Sequence, residues 1–421
     1  VHIVHVVQLY HPVASGSVRY FSELGKRLAA AGHRVTVLTT TAHDLESLWQ
    51  SGKRTLPAGF SQHEGCSVWR FDIRRMTDWA LFYPLFRRVL CEIGRLPLPV
   101  DWLRRIAALT PTAPEMVAWV LAHVDEIDVI HVTNVTLDGL VHPIMQLAHT
   151  YRIPVLCTPF VHLGEINDRA FVRYYSMPQQ LDILQRSSHV FTMTDREATF
   201  LRQHGVTSPL HTVGAGVTPS DVTGGDGAAF RARHHISGTL CLQVGAMARD
   251  KGTTTTVAAM QRLWADGVDI TLVLIGAPLA HFTAFLESLS DADRARMRVL
   301  AYASDDERRD AYAAADVFVL PSRTDSFGIV FLEAWCNLVP VIGADAGGIP
   351  DVVQHETNGL LVPFADDVAL ASAITRLRTN PTLAHALARR GYDAVHAHDT
   401  WEHVFDRVNI IYDQVVPRHA D

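Results

Sequence analysis

Two stretches carry residues whose types and spacing fit the binding of a charged, hydroxyl-rich ligand. In the first, Asp325, Ser326, Phe327 and Gly328 precede an apolar run, Ile329, Val330 and on to Trp335, that holds one carboxylate, Glu333. In the second, Gly245 is followed by Arg249, Lys251 and Gly252. A loop cation beside the free amides of a helix start makes an anion site, and glycine lets the backbone come close. Asp and Glu accept hydrogen bonds from sugar or ribose hydroxyls. As a bare pair, Asp325 and Glu333 would read as solvated carboxylates of an ordinary β–α connection, and Lys251 as a surface lysine. Glu333 inside a hydrophobic stretch argues otherwise, because Glu is seldom buried without a partner.

The elements that must position these residues are legible around them. Asp316–Leu320 is near-continuously apolar and β-branched, which predicts a buried parallel strand. Pro321 ends its pairing, Ser322–Ser326 is a polar loop, and Gly328 opens a buried helix. Leu240–Gly245 predicts another strand feeding the Ala246–Gly252 loop and a helix. Nearer the N-terminus, strand Val1–Leu9, loop His11–Ser17, helix Val18–Ala31 and strand Arg34–Thr40 predict a βαβ unit. Its loop carries Ser15-Gly16 and is not GxGxxG. Strand Pro154–Thr158 delivers His162 at its carboxyl end, where ligands bind in open α/β sheets. If strand alternation persists beyond Thr158, Phe160 and His162 point the same way.

The run PSRTDSFGIVFLEAW, together with Lys251-Gly252 and the helix end Gly32-His33-x-Val35, resembles the motifs of glycosyltransferase family 4. The likeness covers roughly residues 1–42 and 128–415. It implies an α/β, GT-B fold with two Rossmann-like parallel-sheet domains facing across a cleft: residues 1–217, joined by a terminal helix at 400–421, and residues 218–399. It further implies retaining transfer of a hexosyl unit from a UDP- or GDP-sugar to a hydroxyl acceptor on a glycan, glycolipid or small metabolite, with no metal or other cofactor. On that resemblance the catalytic candidates are His162, Asp325 and Lys251. Lys251, Arg249 and the amides at Gly328 would hold the leaving diphosphate, His162 and Asp325 the sugar, and Glu333 the ribose. Gly16, Gly245, Ser326, Phe327, Ile329 and Val330 complete the donor-binding set. The chain departs from the usual pattern at Asp325 (Glu is usual), Ser326 (Gly), Ala246 (Arg) and Phe160 (His). A phosphorylase or nucleotide-sugar epimerase on the same fold, or a non-catalytic sugar-nucleotide binder, would use many of the same residues.

A net charge of -7 argues against nucleic acid as partner. Five dispersed cysteines without CxxC fit a reduced, cytoplasmic protein, and the histidines show no metal-type spacing. No stretch reads as a signal peptide or a bilayer span. Residues 74–108 mix Trp, Phe, Tyr and Leu with seven arginines against Asp78, Glu92 and Asp101. Such a segment either touches an anionic membrane peripherally or forms two helices packed on the first domain with arginines toward water; Pro97 and Pro99 favour the helix pair. Further expectations are a polar, mobile stretch at 44–64, a flexible linker at 223–227, Asp195 as a helix N-cap, and Glu165, Asp168 and Arg169 as either acceptor-binding or solvated groups.

Overall fold

The computed structural model describes residues 1–13, 15–79, 81–165 and 172–415; Asp168 and Arg169 fall outside them. The chain divides into two compact units. The first comprises Val1–Val161, Arg169–Val213 and Phe405–Asp421, the second His162–Asp168 and Gly214–Val404.

The first unit is built on β1 (His2–Val6), β2 (Arg34–Thr40), β3 (Gly59–His63), β4 (Cys66–Phe71), β5 (Val129–Thr133), β6 (Val155–Thr158), β7 (His189–Thr192) and β8 (Leu210–Thr212), in the order β3-β4-β2-β1-β5-β6-β7-β8. Every pairing is parallel except β3 with β4. β3 occupies a stretch expected to be mobile: its residues are mostly exposed, Phe60 included, so backbone pairing at a sheet edge, not burial, holds it. The last helix, Trp401–Val415, brings Tyr412 to this sheet. Its hydroxyl lies 2.6 Å from His131 Nδ1 and 3.2 Å from His5 Nε2, and His131 Nε2 meets Thr158 Oγ1 at 2.8 Å. Burial drives both imidazoles well below the ordinary range, so they sit in the core as neutral rings.

Residues 74–108 contain two helices, Phe82–Ile93 and Val100–Ala107, joined over Leu90, Cys91, Ala107 and Met177. Not all of their arginines reach water: Arg87 turns inward and donates to the carbonyls of Thr136 and Tyr174. Nor is the aromatic set all core. Tyr83 is buried and stacks on Trp49, while Trp79 and Trp102 are more than half exposed. Among the described residues no helix is long and apolar enough to cross a membrane.

The second unit carries β9 (Thr239–Val244), β10 (Ile270–Ile275), β11 (Met297–Leu300), β12 (Val317–Leu320), β13 (Val341–Ala344) and β14 (Leu360–Val362), in the order β11-β10-β9-β12-β13-β14, all parallel. The order reverses direction between β9 and β12, and the loops after those two strands hold the residues singled out above. The 223–227 segment is not a free linker. A Cβ at Gly225 or Gly227 would lie 2.3 to 2.5 Å from backbone atoms of Arg309 and Ala313, so both glycines are packed against the helix Asp305–Ala314.

Candidate functional site

β12 ends at Leu320, and the 321–328 loop runs from it into the helix Ile329–Cys336. Gly328 has φ +91 and its absent Cβ would sit 2.7 Å from the Phe331 ring, so glycine is required there. The Phe331 amide turns back on the Gly328 carbonyl at 2.9 Å. The amides of Ile329 and Val330 open the helix, where no intrahelical carbonyl precedes them. Phe327 is buried. Glu333 is 1 % exposed, and its Oε2 accepts the Tyr312 hydroxyl at 2.7 Å. Tyr312 is thus the partner that the apolar setting demanded.

β9 ends at Val244 and is followed by Gly245 (φ +142), whose carbonyl lies 2.1 Å from where a Cβ on Gly276 would be. The 246–252 loop is knitted to the 321–328 loop by its backbone. Arg323 N donates to Asp250 O at 2.9 Å, and a Cβ on Gly252 (φ +72) would fall 2.1 Å from the Pro321 carbonyl. This close seam places Lys251 Nζ 2.9 Å from Asp325 Oδ2. Burial alone would raise the Asp325 carboxyl, but Lys251, with help from the Ser322 hydroxyl, holds it below its usual value. Arg249 stands apart. It is exposed, its amide donates to His281 Nε2 at 3.0 Å, and among the described residues its guanidinium makes no ion pair. The guanidinium that the loops engage is Arg323, which bonds Asp250 Oδ1 at 2.9 Å, reaches Glu165 Oε1 at 3.3 Å and lies over the Phe364 ring. A cavity of about 490 Å³ adjoins it, walled by Glu165, Asp345, His355 and Phe364. Glu165 is therefore tied into an ion-pair network and not merely solvated.

His162 joins the same set. Its Nδ1 is 3.1 Å from Ser326 Oγ. Desolvation, with the nearby Lys251 charge, lowers the imidazole to about 4, so the ring is neutral at physiological pH. Phe160 and His162 do not point the same way. Phe160 adopts φ +49, which breaks strand alternation, and its ring packs edge-on to Tyr20 at 5.6 Å. That turn is fixed from below by Glu197, fully buried, whose two oxygens accept the amides of Val161 and Met193 at 2.7 Å each. Burial raises the Glu197 carboxyl to about 7 despite those two bonds. Glu197 belongs to the helix Asp195–Gln203, whose N-cap is Thr194 and not Asp195: the Thr194 hydroxyl accepts the Glu197 amide, and Asp195 accepts the Thr212 hydroxyl. Gly347 and Gly348 complete the clamp, donating to the carbonyls of Gly164 at 2.7 Å and Asp325 at 2.9 Å.

The structure thus gathers Lys251, Asp325, Ser326 and His162 at the carboxyl ends of β9 and β12, near the Ile329 and Val330 amides. Gly16 opens the helix Gly16–Ala30 of the first unit behind its N-cap Ser15, whose φ of −156 any residue can adopt; its assignment to donor binding rests on the resemblance. Arg323, Tyr312 and Glu197 were missed. For Arg323 a signal existed, since it lies within the motif itself. Among the described residues no group of three or more His, Cys, Asp or Glu is placed to hold a metal ion.

Comparison with known proteins gives two family profiles. One, described as glycosyl transferase 4-like domain, matches residues 15–216; the other, glycosyl transferases group 1, matches residues 231–394. The chain is 34% identical over 163 residues to a D-inositol 3-phosphate glycosyltransferase of Xylanimonas cellulosilytica, a match covering 38% of this chain and 38% of that relative. The chain therefore matches well under half of that relative's length. Among solved structures, sucrose-phosphate synthase from Thermosynechococcus elongatus superposes with a TM-score of 0.74 at 23% identity, covering 98% of each chain. Anabaena HepE in complex with UDP and glucose superposes with a TM-score of 0.72 at 17% identity, over 98% of this chain and 99% of that one.

Proposed function

The chain belongs to glycosyltransferase family 4, and from that premise we propose that it moves a hexosyl unit from a UDP- or GDP-sugar to a hydroxyl acceptor, with retention at the anomeric carbon. The observation that carries this reading is the Lys251–Asp325 pair, 2.9 Å apart, with Asp325 on the loop that leads into the helix start at Ile329 and Val330 and whose Ser326 meets His162. A diphosphate is the ligand that such a cation and helix start suit. As the glycosidic bond breaks, negative charge grows on the β-phosphate. Lys251 and the two amides stabilise it where it develops. Arg249, exposed on the same loop, adds a second cation. Asp325 exchanges its Lys251 partner in part for sugar hydroxyls. His162, neutral and held by Ser326, bonds the sugar and is not the base; the leaving phosphate takes the acceptor proton on the same face. Glu333, with Tyr312, is assigned to the ribose.

UDP is the nucleotide to test first, because the HepE structure holds UDP and glucose. Five buried cysteines with free thiols support a cytoplasmic setting. The test is nucleoside diphosphate release from UDP-glucose, UDP-N-acetylglucosamine and GDP-mannose across an acceptor panel, with the product anomer read by NMR. Acceptor-dependent release with an α-linked product supports the proposal. Binding without turnover on every acceptor, or an inverted product, overturns it.

A further inference from the structure

The two helices of residues 82–107 bury one side and leave an apolar face outside. On Phe82–Ile93 the buried side chains are Tyr83, Leu90 and Cys91. Leu81, Leu85 and Val89, one turn apart along the other side, are 64, 49 and 47% exposed. On Val100–Ala107 the buried pair is Leu103 and Ala107, and Trp102 is 62% exposed. Trp79 and Leu96, flanking the first helix, are 54 and 55% exposed. The outer face of a helix in water is ordinarily charged, and exposed apolar side chains concentrated in one segment mark an interaction surface.

Charge selects the occupant. The chain carries a net −7, yet residues 74–108 hold seven arginines against three acids. Arg88 lies between Leu85 and Val89, and Arg105 lies one turn beyond Trp102; both are exposed, and among the described residues neither has an ion-pair partner. Indole rings, aliphatic side chains and unpaired guanidinium groups exposed along this one segment match the three zones of a bilayer surface. Indoles sit at headgroup level, aliphatic groups below them, and guanidinium groups on lipid phosphates. We propose that this face docks the protein on an anionic lipid bilayer.

The test uses the full chain and sedimentation with vesicles of phosphatidylglycerol and phosphatidylcholine, or of phosphatidylcholine alone. Wild type is expected to pellet with the anionic vesicles, less so as salt is raised, and to stay in solution with the neutral ones. Leu85→Glu with Trp102→Glu should lower the partition about tenfold or more, since two charges then replace two inserted apolar groups. Ile410→Glu, at a 59% exposed position on the last helix, should leave it unchanged. Melting curves confirm that each variant folds. Wild type remaining in solution with both vesicle types overturns the proposal, as does an equal loss for Ile410→Glu. A dimer in gel filtration that the Leu85/Trp102 variant dissociates, without vesicle binding, assigns the face to a second copy and also overturns it. The readout is binding alone, so it stands or falls separately from the transfer reaction.

Discussion

Lys251 and Asp325 should respond to truncation with opposite signs when the ligand is a nucleoside diphosphate without its sugar. The two are 2.9 Å apart, with side chains 26 and 17% exposed. At an effective permittivity of about 20 the attraction is about 6 kcal/mol, an upper bound that solvent at the partly exposed ammonium cuts to about 1–2 kcal/mol. A diphosphate must compete with Asp325 for the same ammonium. Lys251→Ala removes a charged donor worth about 1.5–3 kcal/mol to an anion, so UDP or GDP should bind about 12- to 160-fold more weakly. Asp325→Ala removes the competitor, so the same nucleotide should bind about 5- to 30-fold more tightly. The nucleotide-sugar should gain less, because its hydroxyls lose their acceptor, and turnover should fall. Titration calorimetry on the two variants and the double variant reads all of these. Equal weakening of free nucleotide by both substitutions would refute the reasoning, because the pair would then be scaffolding and not a shared ligand site.

Three further outcomes follow from the geometry. Ser326→Gly removes the hydrogen bond that orients His162, and should lower kcat about 2- to 12-fold with nucleotide affinity nearly unchanged; an unchanged kcat would deny Ser326 a positioning role. Gly252→Ala should cost about 2–4 kcal/mol, combining left-handed strain with a Cβ 2.1 Å from the Pro321 carbonyl, whereas Gly267→Ala, at φ +75 with open space around it, should cost about 1 kcal/mol in denaturant unfolding; equal costs would remove the seam from the account. Glu197 has its proton affinity raised from 4.5 to about 7 on folding. Its contribution is therefore full below pH 4.5 and is lost as pH rises through 7, by about 3 kcal/mol in total. The stability difference between wild type and Glu197→Gln should shift by about 2.5 kcal/mol between pH 5 and pH 8; a constant difference would show that Glu197 does not titrate in that window.

Much of the site was readable because its chemistry is local in sequence. Strand, Pro321, polar loop, Gly328 and apolar helix follow one another within a few residues, and each carries its own signal of composition or punctuation. What stayed hidden depends on distant partners. Tyr312 meets Glu333 from a preceding helix, and Arg323 finds Asp250 and Glu165 from other loops. Charged loop residues read as solvated until the fold brings their partners. Phe160 was expected to share a direction with His162, but alternation holds only while the strand conformation lasts, and φ +49 ends it. That break lets His162 meet Ser326, so two departures from the family pattern meet in a single hydrogen bond. β3 escaped notice because an edge strand held by backbone pairing needs no apolar alternation. Gly225 and Gly227 looked like linker residues, yet they are small because a backbone packs against them.

The most direct test of the central claim is calorimetric titration of the purified chain with UDP, GDP, UDP-glucose and GDP-mannose. The account predicts that one nucleotide and its sugar bind at one site per chain, and that Lys251→Ala weakens both. Absence of binding for all four, or binding indifferent to Lys251, would contradict it.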